Sequence, residues 1–537
     1  MSQSNITLLD LPHEILLMIF KKLDNMDVLY SLLDVHIQQL NPIIQDKTFT
    51  NTLNFILTTS TDDIVSITTP ILDRFCINIL PTIDHNIKSL ILESKSMERI
   101  LLAADYPSLT KLKLFNFKDN IVSYYFTDES SFRRIFREQI TDLILIYDKN
   151  NDITVQREYR NGIHEYIMKF FHNLKYLSIN GPSSHLILDD SSPTTCFSSI
   201  LTKLCVYVYC FQDCLTLLDG RLKQLTTFIV EIDHSEPSSI AHNMNNLPNL
   251  TTFSIEYRCN TTEFDIQVLP LLRRMSNLEE LTLIIYNENR TRLVDGTYIH
   301  NQILLHLQRL YKFNFYIRTC TDLNNVTYSL SSDNIQQTFT NIGYRHVKCI
   351  LYNITRMVIC HAFSLPFISN HLEYLGNTFP SIVFTRVTKL LVFDILPFEH
   401  EFFIRLARFF PFLKDLSVMN LHPQLCKSDS VNYDHNQQYP VIEYPYLDSL
   451  HLEDSYIDYV EQFINETKIR LPRLKILEVD YRKLNTITKQ FTRDVTRLNC
   501  AKVHRLIMEK QVVFPKTFYV YFPLLESASS YSYYFKK

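Results

Sequence analysis

One short phrase recurs along the chain and constrains what it can fold into. It reads Leu-x-x-Leu-x-Leu, with Val or Ile also taking the last place and a proline often standing two residues upstream. It is clearest in PSLTKLKL (107–114), PNLTTFSI (248–255), PFLKDLSV (411–418), PYLDSLHL (445–452) and PRLKILEV (472–479). NLKYLSI, NLEELTL and ILTKLCV repeat it without the proline, and weaker copies start at Ile87, Ile140, Leu225, Leu310, Val347, Val387 and Val503. Fifteen units lie about 30 residues apart on average. The Leu-x-Leu alternation fits a short strand with one buried face. The proline disfavours helix in the residue before it, so it separates an upstream helix from the strand. Helix-capable apolar stretches such as EFFIRLARFF (401–410) and YIDYVEQFI (456–464) fill the gaps. One strand and one helix cannot bury their apolar faces alone, but stacked copies can.

Composition removes several function classes. The 537 residues carry a formal net charge of -4, which gives no electrostatic footprint for nucleic acid. No apolar run approaches the ~18 residues of a membrane span, and the opening MSQSNITLLD has neither the basic nor the long apolar region of a signal peptide. Eleven cysteines in no evident framework suit a reducing compartment, so a cytoplasmic or nuclear location is expected. Six glycines are present, and the closest two are Gly162 and Gly181. A phosphate-cradling loop needs them clustered, so nucleotide-binding loops are not expected, and no cofactor is.

Over residues 86–520 the repeat resembles the leucine-rich-repeat superfamily. The Asn or Cys that the family places about eight residues after the first Leu is here Pro182, Arg258 and Leu421 in three units. The resemblance implies a curved solenoid with one strand and one helix per unit. The alternative is an α/β domain in which the phrase is ordinary core patterning.

The N-terminal text ITLLDLPHEILLMIFKKLDNMDVLYSLLDVHIQQLNPII (6–44) raises a separate question. Ile15 to Phe20 are six apolar residues in a row, enough to cover a helix on every side. The pattern predicts one helix from Pro12 to about Leu23 and a second from Val28 to about Leu40, with Asp27 as its cap. Leu11-Pro12, Glu14-Ile15, Ile19, Leu23 and Asp27-Val28 resemble the F-box; the Trp that the family often carries after its Val has no counterpart, since the chain contains none. The resemblance implies an SKP-type adaptor and a cullin scaffold as partners, with Leu11, Pro12, Ile15, Leu16, Ile19, Leu23 and Val28 as adaptor-binding residues. The second apolar face then meets the adaptor, or it packs on the chain's own residues 51–87.

The expected fold is thus α/β: a small all-α F-box-like module at 6–50, linker helices at 51–86, and a degenerate leucine-rich-repeat solenoid with a cap at 87–537. Catalytic and metal sites are not expected. CVYVYC (205–210), with Cys214 nearby, puts Cys205, Tyr207 and Tyr209 on one strand face, and it lacks a C-x2-C pair or a matching His cluster for zinc. FRRIFREQ (132–139) reads as a solvated helix face rather than a nucleic-acid contact. The strand residues that alternate with the buried ones include Lys111, Lys113, Lys203, Lys312 and Lys389, then Glu231, Glu256 and Glu280. His451, Glu453, Glu478, Asp480 and Glu509 make the last strands acidic. They are either a target-binding column for a basic segment or a face kept polar for solubility. The function expected is that of a target-recruiting subunit of a cullin-based ubiquitin ligase, not an enzyme. The alternatives are a repeat scaffold without ubiquitin transfer and a hydrolase or transferase built from scattered residues.

Overall fold

The computed structural model describes residues 11–33, 40, 43, 45–58, 64–147, 163–181, 200–220, 222–234, 246–261, 264–325, 331–354, 356–425, 440–508 and 514–530. Two compact units divide the chain: residues 1–282 with 303–313, and residues 283–302 with 314–537. Among the described residues no helix is long and apolar enough to cross a membrane.

The protein is a mixed α/β structure. Helix α1 (His13–Phe20), helix α2 (Asn25–Leu32) and the turn α3 (Lys47–Thr50) lead into strand β1 (Thr52–Asn54). A small hairpin, β2 (Ile56–Thr58) and β3 (Ile64–Ser66), follows. Next come β4 (Ser89–Glu93), β5 (Lys111–Phe117), β6 (Asp142–Tyr147), β7 (Tyr176–Asn180) and β8 (Lys203–Val208). The series goes on with β9 (Thr227–Ile232), β10 (Thr252–Thr261), β11 (Glu280–Arg290) and β12 (Lys312–Asp322). Strands β13 (Val347–Ile354) and β14 (Met357–Ser364) form an antiparallel hairpin. These strands make a mostly parallel sheet of twelve in the order β1-β4-β5-β6-β7-β8-β9-β10-β11-β12-β14-β13.

The second sheet has seven strands. They are β15 (His371–Leu375), β16 (Lys389–Phe393), β17 (Asp415–Met419), β19 (Ser449–His451), β21 (Ile476–Glu478), β22 (Arg505–Met508) and β23 (Ser527–Ser530), in that order and all parallel. The short strands β18 (Ile442–Glu443) and β20 (Ile469–Arg470) pair separately.

The repeated phrase explains the parallel pairing. In the first unit Leu53, Leu90, Leu112, Leu143, Leu177, Leu204, Phe228 and Phe253 are cross-strand partners in one unbroken row. Each is almost fully buried. In the second unit Leu372, Leu390, Leu416, Leu450, Leu477 and Leu506 form the corresponding row.

The expected fold class needs correcting. The chain does not form an all-α F-box-like module followed by one curved leucine-rich-repeat solenoid. Residues 51–86, read as linker helices, contain β1, β2 and β3 as well as short helices, and β1 pairs in register with β4. The strand series also changes character at β12. There Phe315 to Thr321 are buried at every position, and so are Val358 to Ser364 of β14. A strand covered on both faces has no solvent face for a one-sided repeat to present. β14 then runs antiparallel to β12, so the unit read at Val347 is one arm of a hairpin.

Among the described residues of the second unit, Arg318 of β12 is the most deeply buried charge, 1% exposed. Its guanidinium meets Glu373 of β15 at 2.6 Å and Glu288 of β11 at 3.3 Å, with the rings of Tyr286 and Tyr374 each 5.1 Å away. Burial opposes that charge, but Glu373 and the neighbouring groups outweigh it and hold the Arg318 pKa above its usual value. Removing one partner of such a pair leaves the others uncompensated. Arg318→Met is therefore expected to destabilise the second unit by roughly 3 kcal/mol, read from the denaturant midpoint. A shift within about 0.5 kcal/mol, the range of ordinary surface substitutions, would remove this cluster from the stability of the unit.

Candidate functional site

The N-terminal surface is built on α1. Pro12 stands at its N-cap, and its carbonyl accepts from the N–H groups of Ile15 and Leu16. Regular α-helix ends at Phe20. Lys22 and Leu23 then donate to carbonyls three residues back, so a tighter turn rather than α-helix carries the chain to Leu23. Helix α2 starts earlier than expected because the Asp24 side chain, not that of Asp27, accepts from the helix, at Met26 N, 2.8 Å. Its regular part stops at Leu32. Residues 34–39, with the segment around Val35, lie outside the described residues.

The apolar residues of this region divide in two. Leu16, Phe20, Val28 and Leu29 are buried. Helix α2 packs against α3, β1 and the helical turn Phe75–Ile79, and Asn25 ties it to the carbonyls of Phe49 and Thr52. The chain's own residues thus cover one side of the pair. On α1, Ile15 is 42% exposed, Met18 64% and Ile19 38%, and Leu23 beyond it is 56% exposed. Leu11 is half-buried and Pro12 exposed. Of the expected adaptor-binding residues, Ile15, Ile19, Leu23, Pro12 and partly Leu11 reach the surface, whereas Leu16 and Val28 belong to the core. Met18 is the largest contributor to the face. Its spacing of three from Ile15 was the signal for it.

The second surface lies on the seven-stranded sheet. His451 on β19 stands between Asp415 on β17 and Glu478 on β21. Its Nε2 is 3.2 Å from Asp415 Oδ1, and its Nδ1 makes a short contact with Glu478 Oε2. Both ring nitrogens face carboxylates, so both carry protons. Burial alone would lower the His451 pKa, but its hydrogen bonds to Asp415 and Glu478, and their charges, raise it from 6.5 to about 9. Burial likewise opposes the Asp415 charge, yet the His451 hydrogen bond and the charges of His451, Lys389 and His371 hold its carboxyl below the usual range. Lys389 is the register partner of Asp415, which completes a row of alternating charge.

The expected acidic column is therefore interrupted by an ion pair at Glu478. Glu478 is buried and paired with His451. Asp480 caps the helix Tyr481–Ile487, accepting from Arg482 N and Lys483 N. Glu453 is half-buried, and its carbonyl accepts from Lys483 Nζ at 2.8 Å. Glu509 lies outside the described residues. Asp415 was missed because it belongs to the preceding copy of the phrase and lies two residues before Ser417, the register partner of His451.

The remaining candidates resolve into local contacts. Lys312 pairs with Glu280 at 2.8 Å, Lys203 Nζ lies 4.5 Å from the Tyr176 ring centroid, and Lys113 Nζ lies 4.7 Å from that of Phe115. Arg133 and Arg137 pair with Asp128, and Arg134 donates to the Asp105 carbonyl. Cys210 sits at the N-cap of the helix Phe211–Leu217 with its thiol against Asp213, and burial pushes its pKa up to about 11. Burial pushes Cys214 higher still. Among the described residues no cluster of three or more His, Cys, Asp or Glu side chains is arranged to hold a metal ion.

No family model matches the chain, and no curated protein does. Its surfaces have to speak for themselves.

A test of the His451 cluster follows from its raised pKa. The unfolded chain takes up that proton only below about 6.5, so the stabilisation is full below that pH and is lost as pH rises toward 9. His451→Gln should cost about 1–2 kcal/mol at pH 6, allowing for partial solvent screening. The gap from the unsubstituted chain should narrow steadily between pH 6.5 and 9 in denaturant titrations. A gap independent of pH would mean that the imidazolium contributes nothing.

Proposed function

We propose that the protein is a substrate-recognition subunit of an SCF-type cullin-RING ubiquitin ligase. It would bind an SKP-type adaptor through Leu11, Pro12 and the exposed face of α1, and hold a target protein elsewhere on its surface. The observation that carries this reading is the exposed set Ile15, Met18 and Ile19 on α1, with Leu23 exposed in the turn that follows it. Burying each such side chain is worth roughly 1.5–3 kcal/mol before the entropy costs of association. Leaving four of them in water is costly unless a partner covers them. The F-box resemblance of Leu11-Pro12, Glu14-Ile15, Ile19, Leu23 and Asp27-Val28 names the kind of partner.

In this role the chain performs no covalent chemistry. It raises the local concentration of target lysines near a ubiquitin-charged enzyme, converting a bimolecular encounter into an intramolecular one. The compartment that goes with it is cytoplasmic or nuclear, where the adaptor and cullin act.

Co-purification with adaptor and cullin tests the proposal. The unsubstituted chain should capture both. Ile15→Asp with Ile19→Asp should reduce capture at least about tenfold, a loss of 1.4 kcal/mol or more. The melting temperature should barely move, because both sites are exposed, while Leu16→Asp should unfold the N-terminal region. Failure of the unsubstituted chain to capture the adaptor would leave the scaffold reading in its place. Undiminished capture by the double variant would remove α1 from the contact.

A further inference from the structure

Strands β16, β17 and β19 are adjacent and parallel, so the loops that follow them emerge side by side at one end of the seven-stranded sheet. These loops, at residues 394–399, 420–425 and 452–456, do not have the composition of ordinary solvent loops. Leu396 is 62% exposed, Leu421 71% and Leu425 80%, with Ile395 and Tyr456 also exposed.

The apolar side chains stand on a rigid frame. Asn420 is buried, and its side chain donates to the Leu396 carbonyl at 2.7 Å. Its backbone N–H donates to Asp454, and its carbonyl accepts from Tyr456 N. Gln424, also buried, donates through its side chain to the Phe398 carbonyl at 2.8 Å and through its backbone to Asp458. The N–H of Leu425 reaches Glu399 at 2.8 Å. Tyr459 closes the frame: its hydroxyl donates to the His422 carbonyl and accepts from Phe398 N. Loops cross-linked in this way pay little ordering entropy on binding, which is the property of a preorganised contact surface.

Charge indicates the occupant. Residues 394–401, 420–425 and 453–458 contain Asp394, Glu399, Glu401, Glu453, Asp454 and Asp458 and no Lys or Arg. Lys483, on the helix Tyr481–Ile487, donates to the Glu453 and Ser455 carbonyls. Exposed apolar side chains on loops whose charges are of one sign favour a partner of the opposite sign.

We infer that this rim docks a basic amphipathic segment of another protein, one that combines leucine-sized apolar side chains with Lys or Arg. The inference rests on the receptor reading only for calling that partner a target.

The test uses the full chain and a fluorescein-labelled peptide of alternating Leu and Arg, with Leu/Glu and Ser/Arg peptides of equal length as controls, read by fluorescence anisotropy. The Leu/Arg peptide should bind, more weakly as salt is raised, and both controls should not. Leu421→Ser with Leu425→Ser, and separately Glu401→Lys with Asp454→Lys, should each weaken binding about tenfold or more with unchanged thermal melts. Should either pair disturb the fold, Leu396→Ser alone should still weaken binding.

Equal binding of the Leu/Glu peptide, undiminished binding by the variants, or no binding at all would overturn the inference. So would binding that emerges only when residues 426–439 are deleted, because that segment would then be the occupant. A dimer that the Leu421→Ser, Leu425→Ser variant dissociates would make a second copy the occupant and overturn it equally. Adaptor capture, measured on the same variants, should be unaffected. Peptide binding without adaptor capture would sustain the rim and remove the ligase reading.

Discussion

The structure depends on rows of apolar residues held in register across parallel strands. In the first unit the row from Leu53 to Phe253 passes through eight strands without a polar interruption. A second row, Leu92, Leu114, Leu145, Ile179, Val206, Val230 and Ile255, runs two residues further along. A slip of one residue in any strand would turn its whole set toward the opposite face. Every pairing therefore constrains its neighbours. Helical turns then cover the rows, as Met97 and Ile100 do on the helix Ser94–Leu102. The residues between the rows, polar ones such as Lys113 and Ser178 among apolar ones such as Ile144 and Ile229, form the other face, where contacts such as His451–Glu478 appear in the second unit.

Much of this was legible in the repeated phrase, whose second and third apolar positions are the residues of the two rows. Its first position was equally informative: Leu109, Leu174, Leu250, Leu413, Leu447 and Leu474 are all buried. Strand direction was not legible. Alternation with a period of two is the same for parallel and antiparallel strands, so the β13–β14 hairpin passed as another unit. Strands β1, β15 and β23 escaped because TLN, HLEYL and SASS do not carry the whole phrase. These differences separate the observed sheets from the solenoid expected.

The candidate surfaces were legible to different degrees. Helical spacing marks Ile15, Leu16, Ile19 and Phe20 as apolar, but it cannot say which side the rest of the chain covers. Only tertiary packing decides that Leu16 and Phe20 turn inward while Ile15, Met18 and Ile19 turn out. On the seven-stranded sheet the acidic residues were visible, and the His451 cluster that pairs Glu478 was not. It needs His451 and Asp415, from two different copies of the phrase, to stand on neighbouring strands. The exposed leucines at 396, 421 and 425 gave no sequence signal of their own, since apolar residues in this chain are more often core than surface.

The functional reading turns on α1 being covered by a partner, and hydrogen exchange addresses that directly. Amide exchange of the full chain would be followed with and without an SKP-type adaptor. Docking through the exposed face should slow exchange over residues 13–23 and leave the amides of the seven-stranded sheet unchanged. A complex that forms while residues 13–23 exchange as fast as in the free chain would contradict it.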